Sequence, residues 1–142
     1  MKNFEEYVLN KDVKKQAPDV HTAKATARDS LERLEMAKAI LLTQKPKYVL
    51  ENAYEAVREL IDAILYAEGY KSYSHEASIS YLALLHFSIT EITKLDKLRR
   101  YINGIKYYGE EVTLEEAKDA LQTAETIIHK LTEKKKGLFL QK

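Results

Sequence analysis

No cysteine occurs among the 142 residues, which removes disulfide frameworks, thiolate zinc sites, iron–sulfur clusters and cysteine nucleophiles. The same absence fits a reducing cytosol. Four glycines and two prolines punctuate the chain, each close to where a hydrophobic periodicity stops or restarts, as expected of helices. No apolar run approaches the 18 or so residues a membrane-crossing helix needs, and Met1-Lys2-Asn3-Phe4-Glu5-Glu6 lacks the apolar stretch of a signal peptide. A cytoplasmic protein with no membrane contact is the expectation. Nor is there charge of one sign: 23 basic residues face 22 acidic ones, for a net +1. Contact with nucleic acid must then come from a local patch. No Walker loop, Gly-x-Gly-x-x-Gly or Gly-x-Ser-x-Gly occurs, so triphosphate hydrolysis, dinucleotide redox chemistry and serine hydrolysis have no support.

What is present is 45% hydrophobic and 32% charged, enough for one domain over residues 1–142. A chain of this size buries roughly 68–70% of its unfolded surface and needs no staple. Asn3 to about Lys15 reads as a short helix ended by Pro18, forming an N-terminal segment over residues 1–17. From Asp19, a plausible N-cap, Ala23, Ala27, Leu31, Leu34, Ala37, Ile40 and Leu41 recur at helical spacing. After Pro46 a second stripe runs from Val49 to Leu65 and closes at Gly69.

Ser74-His75-Glu76 opens a run to Ile92 that is apolar on more than one side, which predicts the most buried helix at the centre of the bundle. A polar break over residues 93–97 follows. Thr113 and Glu116 match a capping box ahead of the stripe from Leu114 to Leu131, and Lys134-Lys135-Lys136 suits a helix C-terminus. No segment reads as a strand pair. The expected fold is all-α, an antiparallel up-down bundle of four main helices plus the short N-terminal one. Residues 137–142 form an apolar tail whose Leu138, Phe139 and Leu140 should be tied down.

The segment from Leu98 to Gly109 packs two arginines, an asparagine, a lysine, three tyrosines and two glycines into twelve residues. Arginine presents a planar fork to phosphate oxygens, asparagine pairs with a base edge or hydroxyl, and tyrosine offers a stacking face. On a helix Arg99, Asn103 and Lys106 share one face, as do Arg100 and Asn103. The alternative is a helix end whose tyrosines pack and whose glycines allow a sharp exit.

Among the four histidines, His21 and His129 read as solvated, and His86 as a partly buried ring with one hydrogen-bond partner. His75, at a helix start between Tyr70, Tyr73 and Glu76, is the better candidate for a base. The competing reading is a capping serine with its neighbours. No metal is expected, because no two histidines share a helix face and no His-Glu-x-x-His occurs. Glu55, Glu59 and Asp62, interleaved with Arg58, read as a solvated or interfacial charged face.

The helix Tyr54 to Leu65, the link Gly69-Tyr70-Lys71-Ser72-Tyr73-Ser74-His75-Glu76, the Arg99-to-Gly109 segment and the final alanine-rich helix together resemble a HEPN domain, a small helical bundle found in prokaryotes and in larger multidomain proteins. Many HEPN domains are RNA endonucleases that use an arginine followed, after four to six residues, by a histidine. From Arg99 or Arg100 those positions hold Gly104, Ile105, Lys106 and Tyr107. Cleavage without metal needs a group titrating near neutrality, which lysine and tyrosine do poorly. The resemblance therefore implies a non-catalytic homodimer without cofactor, binding RNA or a nucleotide through Arg99, Arg100, Asn103, Lys106 and Tyr107. Two alternatives stand beside it. One is an RNA endonuclease of toxin–antitoxin type, with His75 or His86 as the missing base near Arg100. The other is the protein-interaction partner of a minimal nucleotidyltransferase.

Overall fold

The computed structural model describes residues 1–109 and 111–139, the side chains of 106–108 excepted. Its elements are α1 (Phe4–Leu9), β1 (Val13–Lys15), α2 (Val20–Leu41), α3 (Pro46–Glu68), β2 (Tyr70–Ser72), α4 (His75–Ser80), α5 (Ile89–Tyr108) and α6 (Leu114–Lys134). Short 3-10 turns follow α4 (Tyr81–Leu85) and α6 (Lys136–Leu138). The fold is the expected all-α bundle, with α2, α3, α5 and α6 as its long helices.

The centre of that bundle is α3, not the segment after Ser74. Val49, Leu50, Ala53, Tyr54, Ala56, Val57, Leu60, Ile61, Ala63, Ile64 and Leu65 are all buried, so this helix is apolar around most of its circumference. It packs against α2 on one side and α6 on another. The run from His75 to Ile92 is apolar on several sides for a different reason: it changes direction. α4 gives way to a 3-10 turn, His86 adopts the left-handed conformation at φ 66°, and Ser88 starts α5. Leu84 and Ile89 are left exposed by these bends. Ser88 and Glu91 form a capping box, with the Glu91 backbone N–H donating to Ser88 Oγ at 3.1 Å. The polar stretch over residues 93–97 is uninterrupted helix.

The N-terminal helix also ends earlier than its charge pattern suggests. After Lys11 at φ 66° the chain runs as β1, antiparallel to β2, pairing Val13 with Ser72 and Lys15 with Tyr70. Three-residue strands are too short to show alternation, which is why no strand pair is legible in the sequence. At the other end Leu138 and Phe139 pack, partly buried, against the bundle's own core, while Leu140 lies outside the described residues.

Caps set the helix starts and carry a pH dependence. The Thr22 backbone N–H holds the Asp19 carboxyl below its ordinary value; Lys130 does the same for Glu91, and the Thr113 N–H for Glu116. A carboxylate depressed in the folded state contributes stability above its unfolded pKa, and loses it as pH falls through the folded value. Asp62 acts in the opposite sense, because burial raises it. Thermal midpoints measured from pH 6 to pH 3 are expected to fall, and to fall less steeply in Glu91→Gln and Glu116→Gln. Equal slopes in wild type and both variants would remove the caps from this account.

Candidate functional site

The arginines proposed for phosphate lie on α5, and they point in different directions. Arg99 is turned inward, its side chain 18% exposed, with Nε donating to Asp96 Oδ1 at 2.8 Å. Arg100 is 61% exposed and reaches the other Asp96 oxygen only at 3.4 Å. One carboxylate thus steadies both guanidiniums, Arg99 more firmly. Burial works against the Arg99 charge, but Asp96, Glu76 and Tyr54 outweigh it and hold its pKa above the ordinary value. Asn103 is exposed one turn beyond Arg100, and Lys97 one turn before it. The helical backbone continues through Lys106 and Tyr107, whose side chains lie outside the described residues. Beyond α5 the Tyr101 hydroxyl lies 2.9 Å from Glu111 O and 3.0 Å from Glu116 Oε1, two acceptors that share its one proton.

Arg99 faces a group of residues that no local pattern joins. Tyr54, buried on α3, lies with its hydroxyl 3.2 Å from Nδ1 of the exposed His75. Burial, then Glu55, raises the Tyr54 pKa, with Arg58 and Arg99 pulling against them, so the phenol stays neutral. The imidazole tautomer sets the direction of this bond: Nδ1 accepts from the phenol when the ring proton is on Nε2, and donates to the phenol oxygen when Nδ1 carries it. Burial and the neighbouring Glu76 push the Tyr7 hydroxyl up to about 12. Ser74 caps this corner, its Oγ accepting from the Ala77 N–H at 3.2 Å.

Behind Tyr54 the acids Glu55, Glu59 and Asp62 of α3 are engaged by arginine and serine partners. Arg58 Nε donates to Glu55 and Nη1 to Asp62, both at 2.7 Å, with all three side chains 18–21% exposed. Ser78 Oγ donates to the second Asp62 oxygen at 2.7 Å. Arg33 of α2 pairs with Glu59 at 3.1 Å. The charged face is interfacial, a seam between helices.

His86 takes no part in this arrangement. It is exposed rather than half-buried, because the left-handed turn swings it out beside Phe87, His129 and Lys130. It also precedes α5, whereas Arg99 lies ten residues beyond the start of that helix, roughly 15 Å of helix rise. Of the two histidine candidates, only His75 is brought to the Arg99 side.

The HEPN domain model matches residues 23–135, most of the chain and all four long helices in whole or in large part. The chain belongs to the HEPN domain family. No curated protein and no solved structure matches it. Within this HEPN bundle, the participants that sequence reasoning missed are Tyr54 and Asp96. Asp96 was within reach, since an acid three and four residues before two arginines is an ion-pair pattern on any helix. The Tyr54–His75 contact, 21 residues apart, needed the fold.

Proposed function

We propose that this HEPN domain binds RNA or a nucleotide along the outward face of α5 and does not cleave it. The observation that carries this reading is the 61% exposure of Arg100, loosely held at 3.4 Å by an Asp96 whose closer partner is Arg99. Lys97 and Asn103 flank it one turn away on either side, both exposed. A guanidinium so placed can turn from Asp96 to a phosphate without breaking a buried pair. Lys106 and Tyr107 would extend the same strip by their place in the helix. Non-catalysis follows from the missing histidine after Arg99 and Arg100. Homodimerisation, which the family suggests, would bring two strips to one ligand.

Titration of fluorescently labelled single-stranded RNA between 50 and 200 mM salt tests this directly. Arg100→Ala should weaken binding about tenfold and lower the slope of log K against log salt by about 0.7, the value of one lost phosphate contact. Circular dichroism should be unchanged. Unaltered affinity and slope would remove the proposal.

One observation favours a second reading. His75, bonded to Tyr54 within the influence of Arg99, supplies an imidazole that the arginine motif itself lacks. Chelator-resistant RNA cleavage, lost in His75→Ala and in Arg99→Ala, would make the protein a ribonuclease instead. Co-purification of a small nucleotidyltransferase would point to the partner role.

A further inference from the structure

Between α2, α3 and α5 lies a groove of about 360 Å³, lined by Arg33, Glu51, Asn52, Glu55, Arg58 and Ile102. Ile102 is buried on the inward side of α5, one turn beyond Arg99, so the groove opens on the Arg99 side of that helix and not along the outward face of Arg100. Its volume is at the low end of small-molecule sites, roughly 300–1,000 Å³, and suits one planar ring system. Its walls are mostly polar, with the guanidinium groups of Arg33 and Arg58 among them, and bases stack on arginine planes.

The polar groups of the groove are mostly committed. Arg58 is taken by Glu55 and Asp62, and Arg33 by Glu59. Asn52 Oδ1 accepts from Arg33 Nη1 at 3.2 Å, and its Nδ2 donates to Tyr48 O at 2.8 Å. Glu51 is different. It is half-buried and has no ion pair or hydrogen bond among the described residues. Arg33 Nε is likewise buried without a partner.

An uncommitted carboxylate accepts at both oxygens and donates at neither, so it selects a ligand edge with two adjacent N–H donors. Among the four bases only guanine presents that pair, at N1 and N2. Adenine and cytosine offer one donor next to a ring acceptor, which would confront the second oxygen; uracil offers one donor between two carbonyls. We infer that the α2/α3/α5 groove receives a guanine base, held at its Watson–Crick edge by Glu51, of the RNA or nucleotide that the domain binds. The inference rests on the RNA- or nucleotide-binding reading above.

Calorimetric titration of the full chain with GMP, IMP, AMP, CMP and UMP tests it, since IMP lacks only the N2 amino group. GMP should bind about tenfold or more tighter than IMP, the effect of one hydrogen bond to a charged acceptor. Glu51→Gln should erase that preference while leaving Arg100-dependent RNA retention in place. A matching pair of short single-stranded RNAs, one with a single guanine and one with hypoxanthine there, separates the sources. Preference in the oligomers alone assigns the groove to RNA, and preference in the mononucleotides assigns it to a free nucleotide. Equal binding of GMP and IMP, and of the two oligomers, with RNA still retained through Arg100, overturns the groove assignment and spares the strip. Failure to retain any RNA or nucleotide overturns both.

Discussion

Replacing Arg58 by alanine is expected to cost roughly 2–3 kcal/mol of folding stability at pH 7, between the ranges for exposed and for fully buried ion pairs. The guanidinium neutralises Glu55 and Asp62 at 2.7 Å each, and only about a fifth of any of the three side chains meets solvent. Alanine leaves two carboxylates facing each other, with Glu59 close by, on a face that meets water only in part. The sign of the pH dependence follows from Asp62. Burial raises its pKa from 3.8, and Ser78 and Arg58 pull it back. Without Arg58 the folded value moves higher still. An acid with a raised folded pKa favours the folded state below its unfolded value, and that advantage is lost as pH rises through the folded value. The deficit of Arg58→Ala should therefore be smaller at pH 5 than at pH 7 in urea unfolding. Adding Asp62→Asn should recover part of it at pH 7. A loss below about 1 kcal/mol, or one independent of pH, would mean that water reaches the seam.

The same seam shows where sequence reasoning reaches its limit. Periodicity reports which side of a helix is apolar, so α2, α3 and α6 were legible from Asp19, Pro46, Gly69 and the Thr113–Glu116 box. It does not report what a polar face meets, and Glu55, Arg58 and Asp62 looked the same whether they faced water or another helix. Arg33, which closes the seam from α2, carried no local signal. The stretch from Ser74 to Ile92 misled for a related reason. Apolar residues on all sides describe a buried helix and a chain that turns twice equally well, and Ser88-x-x-Glu91 was the only local sign of the turn. In the candidate site, the types Arg99, Arg100 and Asn103 were readable. The division of labour between an inward Arg99 and an outward Arg100 was not, because it depends on Asp96, Tyr54 and Glu76 arriving from three elements.

Gly69→Ala should be the most damaging small substitution in the chain, at about 2–4 kcal/mol, and the reason is a contact more than a conformation. Gly69 ends α3 in the left-handed region at φ 94°, where an L-residue pays roughly 1–2 kcal/mol. A Cβ there would also lie 2.8 Å from the Gln16 carbonyl oxygen, closer than real Cβ contacts come. That oxygen belongs to the backbone leaving β1, which is tied back by the Gln16 N–H donating to Gly69 O at 2.9 Å. Relief would mean pulling the strand pair apart and loosening the link to Ser74, His75 and Glu76. Gly109 provides the control. It ends α5 at φ 69°, also left-handed, with nothing within 4 Å of its Cβ position. Gly109→Ala should therefore cost only the conformational term, about 1 kcal/mol. Chemical denaturation of the two variants separates the contributions, since they share the backbone penalty and differ in the clash. Equal losses would show that Gln16 yields, and that the β1–β2 ribbon is a looser frame for the His75 corner than its hydrogen bonds suggest.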